Sequence, residues 1–66
     1  MAVVKNVEVI SSSTSGIEDA VTSGIAKVGE TVKNIESAWV KDTKVVVRDG
    51  HVAEWRVTLV VSFIVH

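Results

Sequence analysis

From Ala53 to Val65 every second residue is apolar: Ala53, Trp55, Val57, Leu59, Val61, Phe63 and Val65. A period of two marks a β-strand with one buried face. At ~3.3 Å per residue it runs about 45 Å, far beyond the usual length of about 5–6 residues. The alternate face is mixed, with Val52, Val60 and Ile64 among Glu54, Arg56, Thr58 and Ser62. A different rhythm precedes it. Ile17, Val21, Ile25, Val28, Val32 and Ile35 fall at spacings of 4, 4, 3, 4 and 3, one apolar stripe of a helix from about Ser15 to Ile35. Ala20 and Gly24 lie beside that stripe and allow close approach to a sheet. Ser15 and Glu18 fit a capping box, with Ser13 as the cap if the helix starts earlier.

Two further strands complete the pattern. One is short, from Val3 to Ile10, and ends at the Ser11–Ser15 run, whose residue types favour turns and caps. The other runs from about Ser37 to Val47. Asp49-Gly50 between two strand patterns is a hairpin signal, and as a two-residue loop it sets paired residue numbers to sum to 99. That register puts Val40 opposite Leu59 and Ala38 opposite Val61 on the helix-covered face. The other face pairs Trp39 with Val60, Lys41 with Thr58 and Thr43 with Arg56, while Trp55 lies opposite Lys44. The fold class is α+β: β-α-β-β, a three-stranded antiparallel sheet wrapped on one helix, one domain over residues 1–66. The expected core is Val21, Ile25, Val28 and Val32 against Val40, Val57, Leu59, Val61 and Phe63. The helix is too short to cover the hairpin, so the overhang around Val45, Val46, Val47 and Trp55 is expected to be subunit interface.

Composition sharpens the need for partners. A 66-residue chain buries only roughly 60% of its unfolded surface. It has no cysteine for a staple, yet 47% of it is hydrophobic and the mean hydropathy is +0.38. Oligomerisation is the remaining route to burial. Net charge is −1, with 7 basic and 8 acidic residues evenly spread, so no basic stripe points to nucleic acid. No apolar run approaches the ~20 residues of a membrane helix. Met1-Ala2-Val3 lacks the start of a signal peptide, and a cytoplasmic location is expected.

The residues also carry a family likeness. Ser11-Ser12-Ser13, the helix with Ala20 and Thr31, Asn34-Ile35-Glu36-Ser37-Ala38-Trp39-Val40, and the hairpin Val47-Arg48-Asp49-Gly50-His51-Val52 resemble dodecins. So does the closing run from Glu54 to Phe63, and the likeness extends without gaps over essentially the whole chain. The resemblance implies a hollow homododecamer that binds flavins (riboflavin or FMN) as a storage or sequestering protein and not as an enzyme. The family's flavin-stacking tryptophan, at the start of the second strand, falls on Ser37 here. Its ring-binding glutamine falls on Arg56. Trp39 stands two residues on, facing the same side, ~7 Å along the strand. Some dodecin-like proteins lack that tryptophan, and one such group is associated with calcium.

Ser37, Trp39, Lys41, Arg56 and Thr58 share one face and are the candidate ligand-binding residues. An indole there is either a platform for a planar ligand or a packing residue across a subunit contact against Val60. Arg56 either holds a phosphate or polar ring edge, or pairs with Glu54, Asp42 or a neighbour's carboxylate. Trp55 is assigned to packing. Asp42 and Glu54 could offer oxygen to a hard cation, but no calcium-loop motif exists, and no metal site is assigned. His51 and His66 are isolated. With no phosphate loop, dinucleotide fingerprint, nucleophile elbow or zincin motif, no catalytic residue is named. Two functions compete: a dodecameric binding protein for flavin or a related planar molecule, and a structural dodecameric shell without flavin that holds at most ions.

Overall fold

Strand β1 (Val3–Ser13), helix α1 (Ile17–Gly29), strand β2 (Ile35–Arg48) and strand β3 (His51–Val65) follow one another in the computed structural model, which describes residues 2–66. Met1, part of the start read as leaderless, lies outside the described residues. The sheet order is β1-β3-β2, and both edge strands run antiparallel to β3. The β-α-β-β expectation holds. The described residues extend over 51 × 19 × 14 Å, the long axis being set by the 15 residues of β3 at ~3.3 Å each.

β3 is central because it alone carries an unbroken apolar face. Val57, Leu59 and Val61 are fully buried on it, together with Ala20 of the helix. Val7, Val9, Ile17, Val21, Ile25, Val28, Ile35 and Ala38 pack around this centre. The helix lies mainly over β1 and β3, so Val40 of β2, expected in the core, is instead exposed. Val32 and Phe63, also expected there, are half-buried outside that cluster. Ala20 and Gly24 are not beside the buried stripe but at its centre. A Cβ on Gly24 would stand 2.8 Å from Leu59 Cδ1 and 2.9 Å from Ser11 Cβ, so the helix settles where side chains are smallest.

Three boundaries differ from the sequence reading. The serine run does not end β1: Ser11, Ser12 and Ser13 pair with Val57, Arg56 and Trp55, because the length of β3 supplies partners that far. Ser15 does not cap the helix, since the N-cap is Gly16 with no side-chain cap bond. The half-turn before it is held by buried Ser13, whose Oγ accepts from the Ser15 and Gly16 amides (2.9 and 3.3 Å) and donates to Asp19 Oδ2 (2.7 Å). The helix ends at Gly29 and not at Ile35. Asn34 adopts φ 62°, a left-handed conformation asparagine tolerates, and its carbonyl accepts from the Ile64 amide (3.0 Å). This reverses the chain into β2. The hairpin turn is as expected, with positive φ at both Asp49 and Gly50, the geometry that matches strand twist.

The β2–β3 register is where the sequence reading fails. Residue sums of 99 hold at Arg48–His51, Val47–Val52, Val40–Leu59, Trp39–Val60 and Ala38–Val61. Between them, Val46 pairs with Glu54, Val45 with Trp55, Lys44 with Arg56, Thr43 with Val57 and Asp42 with Thr58. Ala53 is thus an extra residue on β3 and Lys41 an extra residue on β2. The two bulges cancel. Between them every pairing is shifted by one, which exchanges the faces of β2 residues. Trp55 consequently meets Val45 and not Lys44.

Candidate functional site

The sheet face away from the helix is uncovered and reads as a series of three-strand rows. Asn6, Ser62 and Ser37 form one row; Glu8, Val60 and Trp39 the next; then Ile10, Thr58 and Asp42; then Ser12, Arg56 and Lys44. All five candidate residues border this face, but not as one cluster. Ser37 and Trp39 occupy adjacent rows at one end. Arg56 is six β3 positions from Ser62, the partner of Ser37, a separation of ~20 Å at ~3.3 Å per residue. The two positions carried over from the family motif therefore cannot touch one ring system within a single chain.

Trp39 is 61% exposed. Large aromatics normally bury far more of their area, so a bare indole beside Val60 on a flat sheet is a surface awaiting a partner. Ile10, on the same face, is 71% exposed. Lys41, bulged out of the ladder, does not face Thr58 as the sequence register had it. Its Nζ instead crosses the central strand to Glu8 Oε1 at 3.1 Å. That ion pair spans the sheet beside Trp39. Ser62 Oγ donates to Asn6 Oδ1 at 2.7 Å on the other flank. The indole thus has a polar border on each side.

At the other end Glu54 is shared. Its Oε1 lies 3.4 Å from Arg56 Nε and its Oε2 lies 3.6 Å from Arg48 Nη2. Of the pairings weighed for Arg56, the one with Glu54 is formed and the one with Asp42 is not. Asp42 and Glu54 stand on the same face four β3 positions apart, ~13 Å. Among the described residues no group of three or more His, Cys, Asp or Glu side chains gathers as a metal would require. The three main concavities lie around the helix start and one helix flank, and neither Trp39 nor Arg56 lines any of them. No helix among the described residues is long and apolar enough to cross a membrane.

Sequence reasoning missed Lys44 on this face, since the unbroken register turned it to the helix side. A signal was present in the charge of Asp42 and Lys44 against the apolar Val45, but the bulges that exchange them leave no local mark.

Comparison with known proteins agrees with this architecture. A protein from Thermus thermophilus, tt0972, superposes with a TM-score of 0.94 at 27% identity, over 100% of this chain and 97% of that one. Dodecin from Streptomyces davaonensis gives 0.93 at 25% identity, covering 98% and 96%. Dodecin from Streptomyces coelicolor gives 0.94 at 25% identity, covering 98% and 93%. No curated protein sequence matches the chain. The family model for dodecin matches residues 3–66, and with that span the chain belongs to the dodecin family.

Proposed function

We propose that this protein is a non-enzymatic binding and storage protein, a homododecamer that sequesters a planar aromatic molecule, with flavin (riboflavin or FMN) as the ligand class. One observation carries the reading: Trp39 stands bare on an open sheet face, between two polar borders, in a member of the dodecin family. An indole face stacks on a flat heteroaromatic ring with roughly 0.5–1.5 kcal/mol beyond area burial.

The separation of the Ser37–Trp39 end from Arg56 dictates how the site closes. Two open faces opposed about a two-fold axis would bring one copy's Trp39 toward the other's Arg56 and Thr58. Such closure also covers the apolar surface left by Trp39 and Ile10. The donor set fits a flavin in part. Arg56 and Lys41 donate to ring carbonyl oxygens, and a ring N–H finds its acceptor in the Thr58 hydroxyl or the Asp42 carboxylate of the same row, because arginine has no acceptor.

Fluorescence titration with riboflavin tests the reading, in a Trp55→Phe background so that Trp39 alone reports. Quenching of both flavin and indole is expected, and loss of binding in Trp39→Ala. Riboflavin that keeps its full fluorescence beside intact dodecamer would instead establish a shell without flavin. Restoring the family pattern with Ser37→Trp and Arg56→Gln is expected to tighten binding.

A further inference from the structure

The bulge at Lys41 decides which side chain follows Trp39 on the open face. An unbroken ladder would set Lys41, a donor, opposite Thr58; the bulge sets Asp42 there instead. Thr58 lies two β3 positions from Val60, the partner of Trp39, so the carboxylate stands one row, ~7 Å, from the indole. A fused two-ring system stacked on Trp39 reaches that far. Asp42 is exposed, and among the described residues no cation lies within ion-pair distance of it: Lys41 is taken by Glu8, and Arg48 and Arg56 by Glu54. Closure of two faces with one copy's Trp39 row against the other's Arg56 row sets the row between them on the axis. That row, Ile10, Thr58 and Asp42, then meets its own counterpart, which holds no cation. Covering the bare Trp39 and Ile10 covers this carboxylate as well, and a carboxylate withdrawn from water without donors is costly. A ligand stacked on Trp39 has to bring those donors.

We propose that Asp42 reads the edge of the stacked ring, and that the protein binds fused 2-amino-4-oxopyrimidines, the edge shared by pterins and guanine, in addition to flavin. This rests on the Trp39 platform and adds a ligand class to it. An ionised carboxylate only accepts, through two oxygens side by side. The 2-amino-4-oxopyrimidine edge presents two donors side by side, the ring N–H and the exocyclic amine, so the pair is bidentate and charge-assisted. A flavin is a 2,4-dioxopyrimidine whose ring N–H lies between two carbonyl oxygens. Against it Asp42 gains one bond, and its second oxygen faces a carbonyl lone pair. A glutamine, which both donates and accepts, suits that dioxo edge. Here the two capacities are divided: Asp42 only accepts, and Arg56 is left to donate to the 4-oxo oxygen.

Pterin and lumazine test this, because they differ only in an amino group against a carbonyl at the 2-position. Both are titrated by their own fluorescence against the assembled Trp55→Phe protein, at slightly acidic pH where both rings are uncharged. Pterin is expected to bind at least about tenfold more tightly, the size of one well-made polar contact. Asp42→Asn, whose amide donates and accepts, should abolish or reverse that preference. Equal affinities, or a preference that survives Asp42→Asn, overturns the assignment, and the Trp39 platform stands if riboflavin still binds and Trp39→Ala loses it. Riboflavin binding with neither pteridine bound overturns it equally. If none of the three binds, the platform itself fails and the inference falls with it. Dispersal of the assembly by Asp42→Asn on light scattering would place Asp42 at a contact between copies and refute its role at the ring. Guanosine separates the two sources of the edge. Displacement of pterin by guanosine supports recognition of the edge on either ring system, and pterin that guanosine leaves in place supports recognition of pterins alone.

Discussion

Leu59 and Gly24 meet at the closest approach of helix and sheet, and each fixes the other's size. Leu59 is fully buried, so Leu59→Ala should cost about 2–5 kcal/mol by lost transfer and a residual cavity. Chemical denaturation checks this. Gly24 tests the opposite limit. Alanine there gains up to about 1 kcal/mol of helix propensity. Its methyl nevertheless arrives 2.9 Å from the Ser11 Cβ, which is anchored to backbone and cannot rotate away. Overpacking of this kind costs about 1–3 kcal/mol, so Gly24→Ala is expected to lower the denaturation midpoint. A higher midpoint would show that the helix can lift off the sheet at no cost. The same residue-scale logic applies to Val61, which has no exposed surface. Val61→Asp buries an uncompensated carboxylate and should abolish the folded state, as a collapse of the circular dichroism signal would show.

Among the elements, β2 is the least regular, with register shifts along its pairing to β3. Its bulge at Lys41 is a local insertion, because Val40 and Asp42 pair with the consecutive residues Leu59 and Thr58. Deleting Lys41 should leave a continuous ladder with Trp39 and Lys44 on their present face. The loss should be confined to the exposed Glu8 ion pair, worth about 0–1 kcal/mol. Amide exchange across β2 would report it, and loss of protection in β3 would show that the bulge is structural. The helix, by contrast, is legible at once from its 3.6 period and misread only in extent. Val32 and Ile35 keep the apolar spacing after the helix has ended, since Ile35 serves the same core from the first residue of β2.

The molecule as a whole has more apolar surface than one helix can cover. A 13-residue helix is ~20 Å long at 1.5 Å per residue, less than half of the 51 Å long axis. Val45, Val47 and Val52 remain exposed near the hairpin turn, and Val3 and Val65 at the opposite end. Covering these surfaces by copies of the chain is the expected outcome of assembly. If the chain forms the proposed dodecamer, Val45→Asp combined with Val47→Asp should reduce it to small species on light scattering. A dodecamer that survives both charges would move the subunit contact elsewhere.

The sequence by itself determined the element types, their order, the hairpin turn and the central strand. Each of these depends on residues close together along the chain: the two- and 3.6-residue periods of apolar positions, and the left-handed preference of Asp49-Gly50. The exposed indole was legible too, because Trp39 falls between the bulge and the strand start, where the simple register holds. What only the tertiary structure decided depends on residues far apart. The burial of Ala20 and Gly24, and the exposure of Val40, follow from where the helix crosses the sheet. The extension of β1 through its serines follows from the length of β3. Two compensating bulges cancel over the hairpin and leave the turn and the stretch from Ser37 to Val40 in register, so no count along the chain shows them. Between those bulges the faces exchange, and only there do Lys44 and Arg56 become neighbours.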